Sequence, residues 1–334
     1  MERKRILFTK VNTAELVSAP VEPVTPGKVL VKLAVSTISS GTERANIIGD
    51  PNVHGRLAPE VSWPRDAGYS SAGVVVELGE GVTDLKVGDR VALTESTHSE
   101  YVTCRAKNAV PIDDISFEEA ALWHIATFPL AAIRKCKLEI GESAIVMGQG
   151  VLGMMAVKLL RAAGAAPILA VDPVPEKREQ ALKIGADYAL DPFDPEFVSR
   201  VKAITGGVKV AIEVTGNGKA LDSVLDCMAN FGRVALLGCT RNSDFTIDYY
   251  RKVHCPGIVM IGAHTNARPK QESYPGMWTT RDDVLAIKLL HQLGRLEFAD
   301  MLAETHAPQE CYEVFYRLAT QPSFPLVQID WRQL

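Results

Sequence analysis

Three glycines carry the clearest chemical signal in the sequence. Gly148, Gly150 and Gly153 have the spacing G-x-G-x-x-G, directly after the apolar run 143–147 and at the start of an amphipathic segment. In such a turn the first glycine permits a tight bend, the second lets the backbone approach a pyrophosphate, and the third lets a helix pack on the sheet. The N–H groups at the helix start attract phosphates. The pattern predicts a dinucleotide site, whose turn also contains Gln149, Val151 and Leu152.

An acidic residue indicates which nicotinamide cofactor to expect. Asp172 ends the next apolar run, PILAVD, about 20 residues after the last glycine. A carboxylate there accepts hydrogen bonds from the adenosine ribose hydroxyls and repels a 2′-phosphate. The next residues, PVPEK, lack a Gly-Ser/Thr-Arg pattern, although Lys177 and Arg178 are cations nearby. We therefore expect NAD, with NADP as the less favoured alternative, and we count Lys177 among the cofactor contacts.

The segments around this turn predict the sheet that must position it. Apolar runs alternate with amphipathic segments from SAIVM to GIVMIGA. Such alternation indicates a parallel, doubly wound α/β sheet, which binds ligands at the carboxyl ends of its strands. Helices are also predicted over 280–293 and near 308–319, followed by a closing strand at PLVQIDW.

Residues 1 to about 120 have a different pattern, rich in short β-branched runs. Four such runs are separated by Gly, Pro and Asp, and they predict an antiparallel, barrel-like domain. They cover residues 29–39, 72–79, 89–95 and 99–105. A helix over 116–136 follows, with Asp113 or Ser116 as its cap and Glu118 or Glu119 in its first turn.

Length and composition bound the class of protein. The chain has 334 residues, more than one hydrophobic core usually supports, so two domains are expected. The net charge is −4 and no basic stripe is present, so nucleic acid is not an expected partner. No apolar run approaches the roughly 20 residues of a membrane helix, and the start MERKRILFTKV does not resemble a secretory signal. We expect a cytoplasmic protein without a membrane partner. Its irregularly spaced cysteines are predicted to be free, buried thiols: Cys104, Cys136, Cys227, Cys239, Cys255 and Cys311.

Motifs along nearly the whole chain resemble the medium-chain dehydrogenase/reductase superfamily, the alcohol dehydrogenase-like enzymes. SSGTE (39–43) is similar to the family's C-G-T-D, and AGYSSAGVVVELGEGVTDLKVGDRV is similar to its G-H-E strand and V-x-x-G-D-x-V segment. SEYVTC resembles the F-A-E-Y-V strand, and EEAALWHIAT resembles the helix leading into the cofactor domain. The resemblance implies an α/β protein with a GroES-like β-barrel catalytic domain, residues 1–124 and 264–334, and a Rossmann NAD-binding domain, residues 125–263.

The sequence departs from the family at every catalytic zinc ligand. The family's Cys, His and third ligand fall on Ser40, Tyr69 and Trp123, and the acid beside the His falls on Ser70. A hydroxyl, a phenol and an indole cannot form the three-ligand site that catalytic zinc requires. DRVALTESTHSEYV also runs directly across the place where the family inserts its four-cysteine lobe. No metal is predicted. These features are similar to the zinc-free branch that includes bacteriochlorophyllide dehydrogenase-like bi-domain oxidoreductases.

Without a metal, side chains must stabilise a developing alkoxide and accept the hydroxyl proton. The resemblance implies that Thr42 matches the family's proton-relaying hydroxyl and that Tyr69 can donate to the substrate oxygen. Glu43 matches the acid that orients the zinc-ligating His, and it is either a base facing substrate or an ion-paired structural acid. His124 faces either the cleft or the core.

Further cofactor contacts are implied at Thr127 and at the ends of two strands of the cofactor domain. The strand-end residues are Val214, Thr215, Leu237 and Gly238. His98, in the shortened loop, is a site residue or a structural one. The remaining histidines are expected to be structural or exposed: His54, His254, His264, His291 and His306. His264 follows the last strand of the cofactor domain and has lining of the site as its alternative.

Two features suggest assembly. The segment 265–283 is a long loop with Tyr274 and Trp278, which we interpret as a lid or an oligomer contact. In the resembling family the last strands of two cofactor domains join edge to edge, and GIVMIGA (257–263) is an apolar strand that would otherwise be an exposed edge. We expect a homodimer.

The function predicted is reversible hydride transfer between a small molecule and a nicotinamide cofactor. The main hypothesis is a zinc-independent, NAD-dependent dehydrogenase that oxidises a secondary hydroxyl of a polyol, sugar or cyclitol-like substrate. The alternatives are an NAD(P)H-dependent enone or quinone reductase, and a non-catalytic nucleotide-binding protein.

Overall fold

The computed structural model describes residues 1–53, 60–243 and 245–334, so His54 lies outside the described residues. The strands are β1 (Glu2–Lys10), β2 (Thr13–Pro20), β3 (Lys28–Thr37), β4 (Arg65–Asp66), β5 (Ser70–Leu78), β6 (Arg90–Thr94), β7 (Tyr101–Arg105), β8 (Ala109–Pro111), β9 (Ala144–Met147), β10 (Ile168–Val171), β11 (Tyr188–Leu190), β12 (Val208–Glu213), β13 (Met228–Leu236), β14 (Val259–Gly262), β15 (Glu304–His306) and β16 (Val327–Asp330). The helices are α1 (Ser40–Ile47), α2 (Phe117–Ala120), α3 (Trp123–Lys135), α4 (Val151–Ala162), α5 (Pro175–Lys183), α6 (Phe197–Thr205), α7 (Gly218–Cys227), α8 (Thr280–Gln292) and α9 (Cys311–Thr320). Shorter helical turns occupy Ala106–Asn108, Tyr250–His254, Ala299–Met301, Pro308–Glu310 and Trp331–Gln333.

The chain forms two compact units. The first contains Met1–Ile125 and Val284–Leu334, and the second contains Ala126–Asp283. Their second boundary lies after Asp283 rather than at 264, where the sequence places the return to the first domain. Arg268 explains the difference, because its guanidinium donates to the Thr127 carbonyl at 2.9 Å and pairs with buried Asp283 at 3.5 Å. A buried charge needs such partners, so the segment 264–283 is held in the second unit.

The first unit is built on two mainly antiparallel sheets, with β15 and β16 paired in parallel. A seven-stranded sheet has the order β15-β16-β3-β5-β6-β8, with β7 paired to β3, and a smaller sheet has the order β2-β1-β4. The pairs along β3, with β5, β7 and β16, are all antiparallel. Phe8, Leu33 and Phe315 lie in the core of this unit, and the rings of Phe8 and Phe315 meet edge to face at 5.1 Å. These features correspond to the predicted GroES-like β domain.

The second unit is a doubly wound sheet, as predicted. Its six parallel strands have the order β11-β10-β9-β12-β13-β14. Numbered within the unit this is 3-2-1-4-5-6, the Rossmann order, and the switch between outward and return halves lies between β9 and β12. Ile145, Val171 and Val224 are among the fully buried side chains that join sheet and helices. The carboxyl ends of β9 and β12 are therefore the expected ligand edge.

Several local predictions need correction. The helix predicted over 116–136 is divided into α2 and α3, and Ser116 rather than Asp113 is the cap, with its hydroxyl accepting from Glu119 N at 3.2 Å. All six cysteines are free, but Cys239 and Cys255 are exposed, so the prediction of buried thiols is wrong for these two. Both lie in connections, after β13 and after the turn Tyr250–His254, and not on a core-facing strand or helix. Among the described residues, no helix has the length and apolar character needed to cross a membrane.

Candidate functional site

The glycine turn after β9 has the geometry of a phosphate cradle. Gly148 has φ +94°, and a methyl group there would lie 2.8 Å from Thr215 Cγ2. At Gly153 it would lie 1.9 Å from the Gly148 carbonyl oxygen, so only glycine lets α4 pack this closely. At Gly150, the N-cap of α4, a methyl group would face open space among the described residues. The turn is therefore closed on its inner side, while its backbone is approachable at the helix start.

Asp172 lies beside this turn and is 5% exposed. Its carboxylate accepts hydrogen bonds from Gln149 N at 2.8 Å and from Val174 N at 2.9 Å. A carboxylate has about four acceptor positions, so two backbone donors leave capacity for two ribose hydroxyls. Arg178 is engaged with the Asp172 carbonyl at 2.8 Å and with Asp191 at 3.2 Å, and Lys177 is half-buried on α5.

A buried glutamate, not identified from the sequence, holds the neighbouring strand end. Glu213 is the last residue of β12, and its carboxylate accepts from Thr215 N at 2.7 Å and from Gly216 N at 3.1 Å. The Thr215 hydroxyl also donates to it. Burial raises the pKa of Glu213, against the effect of these donors. The Glu213 carbonyl accepts from Leu237 N and Gly238 N, while its carboxylate accepts from Thr215 N. Glu213 therefore connects the ends of β12 and β13, where the predicted contacts Val214, Thr215, Leu237 and Gly238 lie.

The segment 264–283 is fixed by charges within the second unit. The Arg134 Nε donates to Asp283 at 2.8 Å, and its guanidinium lies over the Trp278 ring at 3.5 Å. Burial raises the pKa of Asp283 and lowers that of Arg268. Thr127 is fully buried, and its carbonyl is the acceptor for Arg268. Trp278 therefore packs inside its own unit, whereas the second loop candidate, Tyr274, is exposed.

In the first unit, the positions that carry zinc ligands in the resembling family do not fit a zinc ion. Ser40 is half-buried, and Tyr69 donates from its hydroxyl to the hydroxyl of Ser39. Trp123 is fully buried, and its indole nitrogen has no hydrogen-bond partner among the described residues. Within residues 1–53, 60–243 and 245–334, no group of three or more His, Cys, Asp or Glu side chains is arranged to hold a metal. Phenol and indole groups are not substitutes for the family's ligands.

Glu43 is directed into the first unit and is 2% exposed. One carboxylate oxygen accepts from Ser39 N at 2.7 Å, and the other lies 2.9 Å from His98 Nε2. His98 Nδ1 is 2.7 Å from the Ser36 hydroxyl, which also accepts from Trp331 Nε1 at 2.8 Å. Of the two alternatives for Glu43, the structure shows the buried acid with a partner, so Glu43 does not present its carboxylate to a substrate.

The other predicted catalytic residues lie close to Ser39 in the chain or in space. Thr42 is half-buried on α1, and its carbonyl accepts from Asn46 Nδ2 at 3.0 Å. The His124 ring meets the Tyr69 ring edge to face, with centroids 5.7 Å apart. The structure thus brings together Tyr69, His124 and Ser39, a residue that the sequence comparison passed over in favour of Ser40.

Comparisons with known proteins agree with both units. Residues 25–114 match the family described as alcohol dehydrogenase GroES-like domain, and residues 151–280 match zinc-binding dehydrogenase. L-threonine 3-dehydrogenase of Thermococcus kodakarensis is 30% identical over 268 residues, which cover 71% of this chain and 75% of the relative. D-guloside 3-dehydrogenase of Escherichia coli is 25% identical over 321 residues, covering 90% and 91%.

The fold is also similar to that of a solved dehydrogenase. The crystal structure of 2R,3R-butanediol dehydrogenase from Bacillus subtilis superposes with a TM-score of 0.81 at 23% identity, over 98% of this chain and 99% of the other. One assignment follows from the family matches, from the relative at 30% identity and from the fold shared with the solved structure. The chain belongs to the medium-chain dehydrogenase/reductase superfamily of zinc-type alcohol dehydrogenase-like proteins and is an NAD(P)-dependent oxidoreductase acting on CH–OH groups.

Proposed function

We propose that this protein is a zinc-independent, NAD-dependent dehydrogenase that oxidises a secondary hydroxyl of a polyol, sugar or cyclitol-like molecule. The observation that carries the proposal is the hydrogen bond from the hydroxyl of Tyr69, a position matched to a zinc ligand of the resembling family, to the hydroxyl of Ser39, the neighbour of another such position. Hydroxyl groups can orient and polarise a substrate oxygen through hydrogen bonds, which is the part of the chemistry that zinc supplies elsewhere.

The cofactor preference rests on the second unit. When held by the second unit, NAD⁺ would supply the acceptor for the hydride that leaves the substrate carbon. Gly150 and the start of α4 offer backbone donors to the phosphates, and Asp172 retains acceptor capacity for ribose hydroxyls. A 2′-phosphate would bring a second negative charge against a buried carboxylate, which costs free energy at low dielectric. Val214, Thr215, Leu237 and Gly238 are proposed as contacts at the strand ends, together with Thr127 and Lys177.

The substrate class is supported by the relatives. Threonine 3-dehydrogenase, guloside 3-dehydrogenase and butanediol dehydrogenase are named for substrates oxidised at a secondary alcohol carbon. We extend that class to this chain, with Tyr69, Thr42 and His124 as proposed contacts of the substrate. Enone or quinone reduction is the alternative activity, and it is expected to show a preference for NADPH. We also retain the proposal of a cytoplasmic location.

A substrate screen tests the function. Polyols, sugars and cyclitols are incubated with NAD⁺ or NADP⁺, and enones and quinones with NADH or NADPH, while nicotinamide absorbance is followed. We expect turnover with secondary alcohols and NAD⁺. Turnover confined to enones or quinones would assign the alternative activity, and binding of NADH without any turnover would point to a non-catalytic nucleotide-binding protein.

A chelator experiment tests the metal-free part of the proposal. Because Ser40, Tyr69 and Trp123 cannot replace the ligands of the family, prolonged incubation with EDTA or 1,10-phenanthroline should leave turnover unchanged. Elemental analysis should find no stoichiometric zinc in the purified protein. B. subtilis butanediol dehydrogenase, treated in parallel, provides a comparison. Activity that is lost to chelator and restored by added zinc would contradict the proposal.

A further inference from the structure

The hydroxyl of Ser39 is not used in the way expected at its position. Ser39 is the N-cap of α1, where a serine side chain usually accepts from a backbone N–H in the first turn. Here it makes no such bond, and its oxygen accepts instead from the Tyr69 hydroxyl. A hydroxyl that accepts one hydrogen bond still has its own hydrogen to donate. The pair therefore still has the hydroxyl hydrogen of Ser39 to donate.

Glu43 fixes the backbone of Ser39 in place of the missing cap. Its carboxylate accepts from Ser39 N at 2.7 Å, and its own N–H donates to the Ser39 carbonyl at 3.0 Å. Both polar backbone groups of Ser39 are thus held by one residue. Because the Glu43 side chain is 2% exposed, water does not compete for the carboxylate, and these bonds hold the backbone from which the Ser39 side chain projects.

His98 supports both members of the pair. Its Nε2 lies 2.9 Å from the Glu43 carboxylate that holds Ser39. On the other side, its backbone N–H donates to the Ala67 carbonyl at 2.7 Å, and a methyl group on Gly68 would lie 2.7 Å from its ring. Gly68, with φ +82°, immediately precedes Tyr69. The imidazole therefore packs between the support of Ser39 and the backbone that leads into Tyr69.

Both ring nitrogens of the His98 imidazole have hydrogen-bond partners. Its Nδ1 is 2.7 Å from the Ser36 hydroxyl, and Ser36 accepts from Trp331 Nε1, which can only donate. His98, Ser36 and Trp331 are each at most 1% exposed. A buried chain of this kind, with its members satisfied, specifies one arrangement.

We propose that the hydroxyls of Ser39 and Tyr69 together contact the substrate oxygen, and that His98 is the positioning residue that holds this pair through Glu43 and Gly68. The inference rests on the proposed dehydrogenase function and deepens it. Ser39 and Tyr69 are the catalytic residues, while His98 and Glu43 act through them. A misplacement of about 1 Å in such a pair is enough to lower the rate roughly 10²-fold.

A mutant cycle tests the proposal on the full chain with the best alcohol from the screen. Ser39→Ala and Tyr69→Phe should each lower kcat about 10²-fold. His98→Gln should lower kcat about 10- to 100-fold in the wild-type background. In the Ser39→Ala/Tyr69→Phe background it should change kcat less than about twofold, because residues that act as a unit are not additive. The dissociation constant of NADH should stay unchanged in every variant.

Matched controls come from the same unit. His306 also contacts carboxylates, Glu304 at 3.0 Å and Glu310 at 3.3 Å, and Tyr312 is an exposed tyrosine. His306→Gln and Tyr312→Phe should leave kcat unchanged. If His98→Gln lowers kcat equally in both backgrounds, or not at all, His98 is not a positioning residue. Should His98→Gln fail to fold, Ser36→Ala removes the Nδ1 partner instead and is judged in the same way.

Crystal structures of the variants test the positioning role of His98 independently of the proposed dehydrogenase activity. In His98→Gln or Ser36→Ala, the Tyr69 and Ser39 hydroxyl oxygens should move beyond hydrogen-bond distance, about 3.5 Å. An unchanged pair would overturn the positioning role even in a chain with full activity. A wild-type chain without turnover on any alcohol would refute the proposed function alone, and the structures would still decide the role of His98.

Discussion

At the residue scale, three of the buried carboxylates hold backbone turns, two in the second unit and one in the first. Asp172 accepts from Gln149 N beside the glycine turn, Glu213 accepts from Thr215 N after β12, and Glu43 accepts from Ser39 N before α1. Each is at most 5% exposed. A buried carboxylate needs such donors, because an unpaired charge in the interior is costly. Each acid therefore holds its own turn without any ligand.

Asp172 provides the test of cofactor choice. Asp172→Ser should relax the preference for NADH over NADPH, since the charge that repels a 2′-phosphate is removed. NADH binding should weaken about tenfold, equivalent to about 1.4 kcal/mol, while NADPH binding strengthens. Asp187→Ser, an acid outside the predicted cofactor contacts, provides the control. Nicotinamide fluorescence titrations measure the constants, and tenfold tighter binding of NADPH to the wild-type chain would refute the NAD assignment.

Glu213 provides a test of pH dependence. Burial raises its pKa in the folded chain above the ordinary value of 4.5, so the folded state binds more protons than the unfolded state in that range. The free energy of unfolding of the wild type should therefore fall, relative to Glu213→Gln, as pH rises from about 4 to 7. Urea unfolding of both chains at several pH values measures the difference. If the free energy of unfolding of the wild type relative to Glu213→Gln stays constant or rises over this pH range, the expectation is wrong.

At the element scale, the short helix α2 joins separate parts of the first unit. Glu119 of α2 accepts from Phe298 N at 3.0 Å and from Ala299 N at 3.1 Å, and its carboxylate lies 3.4 Å from His291 Nε2 on α8. The hydrogen bond with His291 lowers the pKa of Glu119 to about 2, with burial acting in the opposite direction. One carboxylate thus connects the segment before α3 to the segment after α8.

This connection predicts an acid-sensitive contribution to stability. A carboxylate with a depressed pKa stabilises the fold above its unfolded pKa, 4.5, and loses that effect as pH falls toward about 2. Because Glu119 is partly solvated, Glu119→Gln should cost only about 1–2 kcal/mol at pH 7. Urea unfolding should show the wild type and the variant converging as pH falls from about 5 toward about 2. Glu139→Gln, an exposed acid, serves as the control, and a gap that does not narrow over this range would argue against the ionised contact.

At the scale of the whole molecule, the sheet of the second unit ends in an open edge. β14 is the last strand of the order, and Val259 on it is 51% exposed. Phe231, in the strand beside it, is 76% exposed. An apolar edge strand is a template for pairing with another chain, and proteins that stay monomeric usually protect it with charges or bulges. The exposed apolar residues at this edge support the proposal of a homodimer.

Light scattering tests the dimer. The chain should have twice its mass of 36.3 kDa at micromolar concentration. Val259→Lys places a charge on the edge and should produce a monomer with an unchanged far-ultraviolet spectrum. Val87→Lys, at another exposed valine, should leave the mass unchanged. A monomeric wild-type chain would rule the dimer out.

The glycine turn and Asp172 of the second unit could be identified from the sequence because their signals are local in the chain. Gly148, Gly150 and Gly153 lie within one strand–turn–helix unit, and Asp172 ends the next strand, so a pattern read along the chain contains the whole cradle. Strand and helix periodicity likewise identified β9, α4 and β12 within a residue or two. The departure from the family's ligand types at Ser40, Tyr69 and Trp123 is likewise a matter of residue type and not of contacts, and zinc independence stays a prediction.

The contacts around the hydroxyls of Ser39 and Tyr69 in the first unit were decided by the tertiary structure. Glu43 and His98 are 55 residues apart in sequence, and His98 and Ser36 are 62 apart, so no local pattern pairs them. Ser39 and Ser40 are identical in type, and only the start of α1 determines which hydroxyl meets Tyr69. The boundary at Asp283 depends in the same way on the distant cations Arg134 and Arg268. Residue type and spacing determine which chemistry is available, whereas strand pairing and burial determine which of the available groups meet, because hydrogen bonds at 2.7–2.9 Å require positions that only the packed chain provides.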